Sequence, residues 1–190
     1  MKITEVRAFP LAIPLRQVDP PSSWAAGAGK QILVRVTTDE GLTGWGECFA
    51  YGAPMAVISV LDDALAPLVL GHDPTQIESV VDRMHRALMI WGRRGLAMMA
   101  VSGIELALWD LVGKARGMPV YELLGGLCQS RARAYASLLR YDTPAQMRQA
   151  VSAAIKLGHT AIKLHQTDVE SVAAAREAAG ERVELMLDTN

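Results

Sequence analysis

Apolar and polar positions alternate through the first fifty residues. Residues 2–15 set Ile3, Val6, Ala8, Leu11 and Ile13 in a polar background and stop at Pro14 and Pro20-Pro21. Residues 32–37 and 42–48 are two more β-rich runs, with turn chemistry at Asp39-Glu40-Gly41 between them. A period of two marks a half-buried strand, so the three runs predict an antiparallel meander. The loop from Gln17 to Lys30 holds two prolines, two serines, two glycines and Trp24. It reads either as a solvated linker or as a mobile lid over a site.

From Pro54 the period lengthens. Residues 55–68 keep apolar positions three to four apart. Asp73-Pro74-Thr75-Gln76 predicts a helix start, with Asp as N-cap, Pro at N1 and Gln at N3. That helix carries Ile77, Val80, Val81, Met84 and Leu88 on one side, leaving Arg83, His85 and Arg86 to a solvated face and Arg93-Arg94 to a loop surface. Residues 96–116 are apolar nearly all round, which predicts a helix buried between two layers. Gly117 ends it and Pro119 prevents its resumption. Gly103 and Gly113 each cost such a helix about 1 kcal/mol relative to Ala; close packing against another element is the usual compensation.

After Leu123-Leu124-Gly125-Gly126 the grammar changes. Residues 133–139 are β-compatible, Thr143-Pro144-Ala145-Gln146 opens a helix that Gly158 closes, and residues 160–165 form a strand. Residues 169–179 follow as a helix ended by Gly180, and residues 183–190 as a strand. Strand–helix–strand–helix–strand is the signature of a parallel sheet with right-handed crossovers. The expected organisation is an α+β domain over residues 1–127 and the start of an α/β domain over 128–190. Three parallel strands cannot close a barrel, which takes about 250 residues, so the chain is expected to be a fragment of a longer protein.

Totals narrow the partners. A net charge of −1 gives no pull toward nucleic acid or a membrane surface. The N-terminus lacks the apolar core of a signal peptide, and no run reaches the eighteen or so apolar residues of a membrane helix, so the cytoplasm is the expected compartment. Cys48 and Cys128 have no C-x-x-C spacing and read as reduced thiols. His72 and His159 read as structural.

Candidate chemistry gathers at two strand ends. Lys163-Leu164-His165 and Asp188-Thr189-Asn190 each close a short apolar run. Side chains alternate faces along a strand, so Lys163 and His165 share a face, as do Asp188 and Asn190. In parallel neighbours these two pairs meet at the C-terminal ends, where α/β sheets place their chemistry.

The run from Gly103 to Gly126, with Gly103-Ile104-Glu105-Leu106-Ala107-Leu108-Trp109-Asp110 at its head, strongly resembles the mandelate racemase/muconate lactonizing branch of the enolase superfamily. Gly41-Leu42-Thr43-Gly44-Trp45-Gly46-Glu47 is similar to that family's capping-domain strand, and Lys163-x-His165 and Asp188-x-Asn190 fall where its base and first metal-ligand motifs fall. The resemblance implies a capping domain (a three-stranded meander plus helices) followed by the first strands and helices of a modified TIM barrel, incomplete in this chain. It implies Mg²⁺ and removal of a proton α to the carboxylate of an acid sugar or hydroxy acid, the superfamily's known chemistry. A homo-oligomer is expected of the full-length protein.

Roles follow from the same resemblance. Asp188 is the expected first Mg²⁺ ligand, and Asn190 holds substrate or water beside it. Trp24 and the turn Phe49-Ala50-Tyr51-Gly52 match loops that close over the barrel mouth, so Trp24 and Tyr51 are candidate substrate contacts; Phe49 and Tyr51 read equally as domain-interface packing. The commoner motif is Lys-x-Lys, whose second Lys needs its neighbour's charge to become a base. A histidine side chain starts near 6.5 as a residue type and needs no such help. The first reading makes His165 the base and Lys163 the cation holding the substrate carboxylate; the second makes Lys163 the base; a third leaves this face to binding alone. A racemase or dehydratase is the leading class. A muconate-type cycloisomerase or dipeptide epimerase, which uses lysines on both sides, is the alternative that His165 counts against. Residues 1–190 alone are expected to be inactive, since one carboxylate does not hold Mg²⁺ tightly.

Overall fold

The computed structural model describes residues 1–13, 29–50 and 52–189. These residues form two compact units, Met1–Ile13 with Gly29–Cys128, and 129–189. The first opens with strands β1 (Ile3–Ala12), β2 (Lys30–Thr38) and β3 (Thr43–Cys48) in an antiparallel sheet of order β1-β2-β3. Ile32, Val34 and Val36 point to the core, and the register sets Cys48, Gly46 and Gly44 beside them. The alternate face carries Leu33, Arg35 and Thr37 opposite Glu47, Trp45 and Thr43.

Four helical pieces follow the sheet before the long helix. α1 (Pro54–Ser59) runs into a π-helical segment, Val60–Leu65, and then α2 (Ala66–Val69). Pro67 explains the widened turns. It has no N–H to give the carbonyl of Asp63 and its ring crowds that group; i→i+5 bonding relieves both problems. α3 spans Ile77–Ala87, with Ile77, Val80 and Met84 buried as the spacing requires. Its start differs from the expected one. Asp73 accepts from the Thr75 backbone N at 2.9 Å and from Thr75 Oγ1 at 2.8 Å, closing a separate turn, and Gln76 is the N-cap. Those two bonds hold the Asp73 carboxyl below its ordinary range. A short polar side chain prefers its own nearby backbone, so the helix begins one turn later than Asp-Pro suggested.

α4 (Leu96–Arg116) is the core of this unit, with ten of its residues buried. It lies between the sheet and the preceding helices. By length and composition it is apolar enough to cross a membrane, contrary to the reading of the sequence, but more than half of its most apolar window is buried inside this unit. Gly117, at φ 62°, ends it in the left-handed conformation. Asp110, nearly two turns before that end, accepts from the backbone N of Trp45 at 2.7 Å and from Lys114 Nζ at 2.6 Å. The free edge of β3 is thereby covered by a helix side chain, one way a sheet edge avoids pairing with another chain. α5 (Val120–Leu123) follows.

The second unit is a parallel sheet, β4-β5-β6, with two helices. β4 is Ala136–Ser137, β5 Ala161–His165 and β6 Glu184–Asp188; α6 (Pro144–Lys156) and α7 (Val169–Ala179) are the crossovers. The expected strand over 133–139 shrinks to two residues. Arg133 instead reaches sideways to Glu184 at 2.8 Å. Thr143 caps α6, accepting from the Gln146 backbone N at 3.3 Å. Asp168 caps α7, accepting from the Ser171 backbone N at 2.7 Å, a bond that lowers its carboxyl's pKa. Ile162 and Leu164 of β5 pack with Met147, Ala150, Val151 and Ala154 of α6 and Ala175 and Ala179 of α7. That burial of alternate residues turns Lys163 and His165 to the other face.

Candidate active site

The register of β5 and β6 pairs Lys163 with Met186 and His165 with Asp188. Lys163 and Asp188 are therefore diagonal neighbours on one face, within reach of a long side chain. Lys163 Nζ donates to Asp188 Oδ2 at 3.2 Å, and His165 Nε2 lies 3.5 Å from the same oxygen. Lys163 is 24%, Asp188 28% and His165 31% exposed. They are partly dried, yet open to a small molecule. Asn190, Trp24 and Tyr51 lie outside the described residues.

The imidazole has a fixed orientation. His165 Nδ1 is 2.6 Å from the Leu138 carbonyl oxygen. A carbonyl only accepts, so in the neutral ring Nδ1 carries the hydrogen and Nε2 keeps its lone pair. The nitrogen facing Asp188 is thus the one able to take a proton. Leu138 also donates its backbone N to the Lys163 carbonyl at 2.9 Å, which ties the end of β4 to both candidate residues.

Two further bonds staple this edge, and neither was anticipated from the sequence. Gln166, 1% exposed, donates Nε2 to the Tyr141 carbonyl at 3.0 Å, and Arg140 donates to Thr167 Oγ1 at 2.9 Å. Residues 165–167 are each held by the β4–α6 connection. Backbone carbonyls do not announce themselves in a sequence; a Gln directly after the K-x-H motif was the available signal.

Residues 11–125 match the family model for the N-terminal domain of mandelate racemase/muconate lactonizing enzyme. The chain belongs to the mandelate racemase/muconate lactonizing enzyme family. Across its whole length it is 35% identical to the D-galactarolactone cycloisomerase of Agrobacterium fabrum, covering 52% of that protein. It is 34% identical to the arabinonate dehydratase of Saccharolobus solfataricus over 84% of this chain and 45% of that one. A solved enolase-superfamily member from Polaromonas sp. JS666 matches all of this chain at TM-score 0.87 and 35% identity, with 52% of that chain covered. The chain therefore spans about half the length of the relatives it matches, and its first unit is the family's capping domain.

A divalent cation in this family's chemistry needs hard oxygen donors. Asp188 offers one carboxylate, whose Oδ2 already accepts from Lys163. Among the described residues no group of three or more His, Cys, Asp or Glu side chains is placed to hold a metal ion. Asp188 fits as a single ligand, and the described residues do not form a complete site.

Proposed function

We propose that this chain is the N-terminal part of an acid-sugar lyase or isomerase that removes the proton α to a carboxylate, with residues 1–127 as the cap and 128–190 as the beginning of its barrel. The convergence of Lys163, His165 and Asp188 on one strand end supports the reading. His165 Nε2 takes the α-proton, Lys163 Nζ holds the substrate carboxylate, and Asp188 is one oxygen ligand of Mg²⁺. When bound, Mg²⁺ neutralises charge that builds up on the substrate carboxylate. His165 is kept in register by the Leu138 carbonyl, so its lone pair meets the substrate without a search over ring orientations.

Proton removal is the step common to the class. Loss of the neighbouring hydroxyl as water completes a dehydration, return of the proton completes a racemisation, and expulsion of a ring oxygen completes a cycloisomerisation. Both dehydratases and cycloisomerases of acid sugars are among the relatives, and an imidazole in place of the second lysine favours dehydratase or racemase. The chain by itself, with one carboxylate at this edge, is proposed not to turn over.

Lys163→Ala in the longer protein tests the division of roles. If Lys163 holds the carboxylate, KM for an aldonate such as galactonate or arabinonate rises about 10–100-fold while kcat falls less. A kcat loss of about 10²–10⁴ with unchanged KM would instead make Lys163 the base.

A further inference from the structure

We propose that Gln166 is a positioning residue for His165: from the packed side of the sheet it fixes the segment whose Leu138 carbonyl sets the imidazole tautomer. The inference rests on the reading of His165 Nε2 as the proton acceptor, and it assigns the device that keeps that nitrogen's lone pair available.

The segment in question has little else to hold it. Residues 138–143 belong to neither β4 nor α6. The backbone N of Leu138 donates to the Lys163 carbonyl at 2.9 Å, and beyond that bond no strand ladder continues. Three residues on, the Tyr141 carbonyl accepts from Gln166 Nε2 at 3.0 Å. The Leu138 carbonyl, 2.6 Å from His165 Nδ1, lies between these two fixed points. Release of the Tyr141 end frees the dihedrals of residues 139–141, and the Leu138 carbonyl can then turn away from the ring. The Arg140–Thr167 bond crosses the same gap but is exposed, where water competes for both partners.

The choice of side chain supports a role beyond packing. By strand parity Gln166 follows Ile162 and Leu164 onto the packed face, away from Lys163 and His165. A carbonyl only accepts, so the amide nitrogen is the end that faces Tyr141. Its other end, Oε1, is buried with no donor within reach among the described residues. A buried acceptor left unpaired is destabilising. An apolar side chain of similar length would therefore serve the core at least as well, but it could not hold the Tyr141 carbonyl. The bond and the tautomer are thus linked through one short stretch of backbone, with no contact between Gln166 and substrate.

Gln166→Met in the longer protein tests this, beside the wild type and His165→Asn. Ring nitrogens are read by NMR after selective ¹⁵N-histidine labelling, at about pH 8 where a histidine is ordinarily neutral; the signals lost in His165→Asn identify its ring. The wild type is expected to show the hydrogen on Nδ1 alone. Gln166→Met is expected to populate the Nε2–H form as well, with Tm within about 3 °C of wild type. Its kcat for α-proton exchange of galactonate in deuterium oxide is expected to fall about 10–100-fold with KM within threefold. Should Gln166→Met fail to fold, Gln166→Asn keeps the amide but is one methylene too short for the Tyr141 carbonyl, and the same change in the ring signals is expected. A folded variant whose His165 ring keeps its hydrogen on Nδ1 alone overturns the proposal, whatever its rate. Exchange at the wild-type rate in His165→Asn would instead remove the proton acceptor from its role, and the ring signals would still decide whether Gln166 sets the tautomer.

Discussion

Gly46→Ala is expected to cost the capping domain about 3 kcal/mol or more, among the largest single effects available in this chain. The reason is a mesh of backbones. A Cβ at Gly46 would fall 2.1 Å from the Gly103 carbonyl oxygen and 2.7 Å from the Ala107 nitrogen, and one at Gly44 would fall 2.0 Å from the Ala107 carbonyl oxygen. These neighbours are helix backbone, so they move only if α4 moves. The helix reciprocates at Gly103, where a Cβ would lie 2.2 Å from Cys48 Sγ. Burial in this seam pushes the Cys48 thiol up to about 11, so it packs as an inert side chain. Gly41, at φ +79° with nothing within 4 Å of an added Cβ, is the control; alanine there is expected to cost only about 1 kcal/mol, from backbone strain. Thermal and urea unfolding followed by circular dichroism distinguish the two. Equal losses at Gly46 and Gly41 would mean that β3 and α4 are not in close contact.

Asp188→Asn in the longer protein is expected to lower turnover by about 10²–10³ and to weaken Mg²⁺ binding measured by calorimetry. The substitution keeps the shape and one acceptor oxygen but removes the charge, leaving the Lys163 ammonium without the carboxylate 3.2 Å away. Stability should change little, because Asp188 is 28% exposed at the end of β6. A variant that keeps turnover and Mg²⁺ affinity within threefold would remove Asp188 from its proposed role.

Much of this arrangement was legible in the residues. Period-two alternation marked β1, β2 and β3, and an all-round apolar run bounded by Gly117 and Pro119 marked α4. The Thr143-Pro144 and Gly180 signals bounded α6 and α7, and strand parity put Lys163 and His165 on one face. The misreadings came where a local polar contact won. Asp73 spent its carboxylate on Thr75 instead of capping α3, and Arg133 paired with Glu184 instead of extending β4. The π-helical turns ahead of Pro67 depend on one missing N–H, which period counting averages away. The Leu138 carbonyl that fixes the His165 tautomer belongs to the backbone of a distant segment, so only the folded chain reveals it.

The most direct measurement is deuterium exchange at the carbon α to the carboxylate, followed by NMR in deuterium oxide, comparing the longer protein with its His165→Asn variant. Exchange reports proton removal itself, whatever product follows. The variant is expected to exchange about 10²–10⁴-fold more slowly with its fold intact. Exchange at the wild-type rate would mean that the imidazole beside Asp188 is not the group that takes the proton.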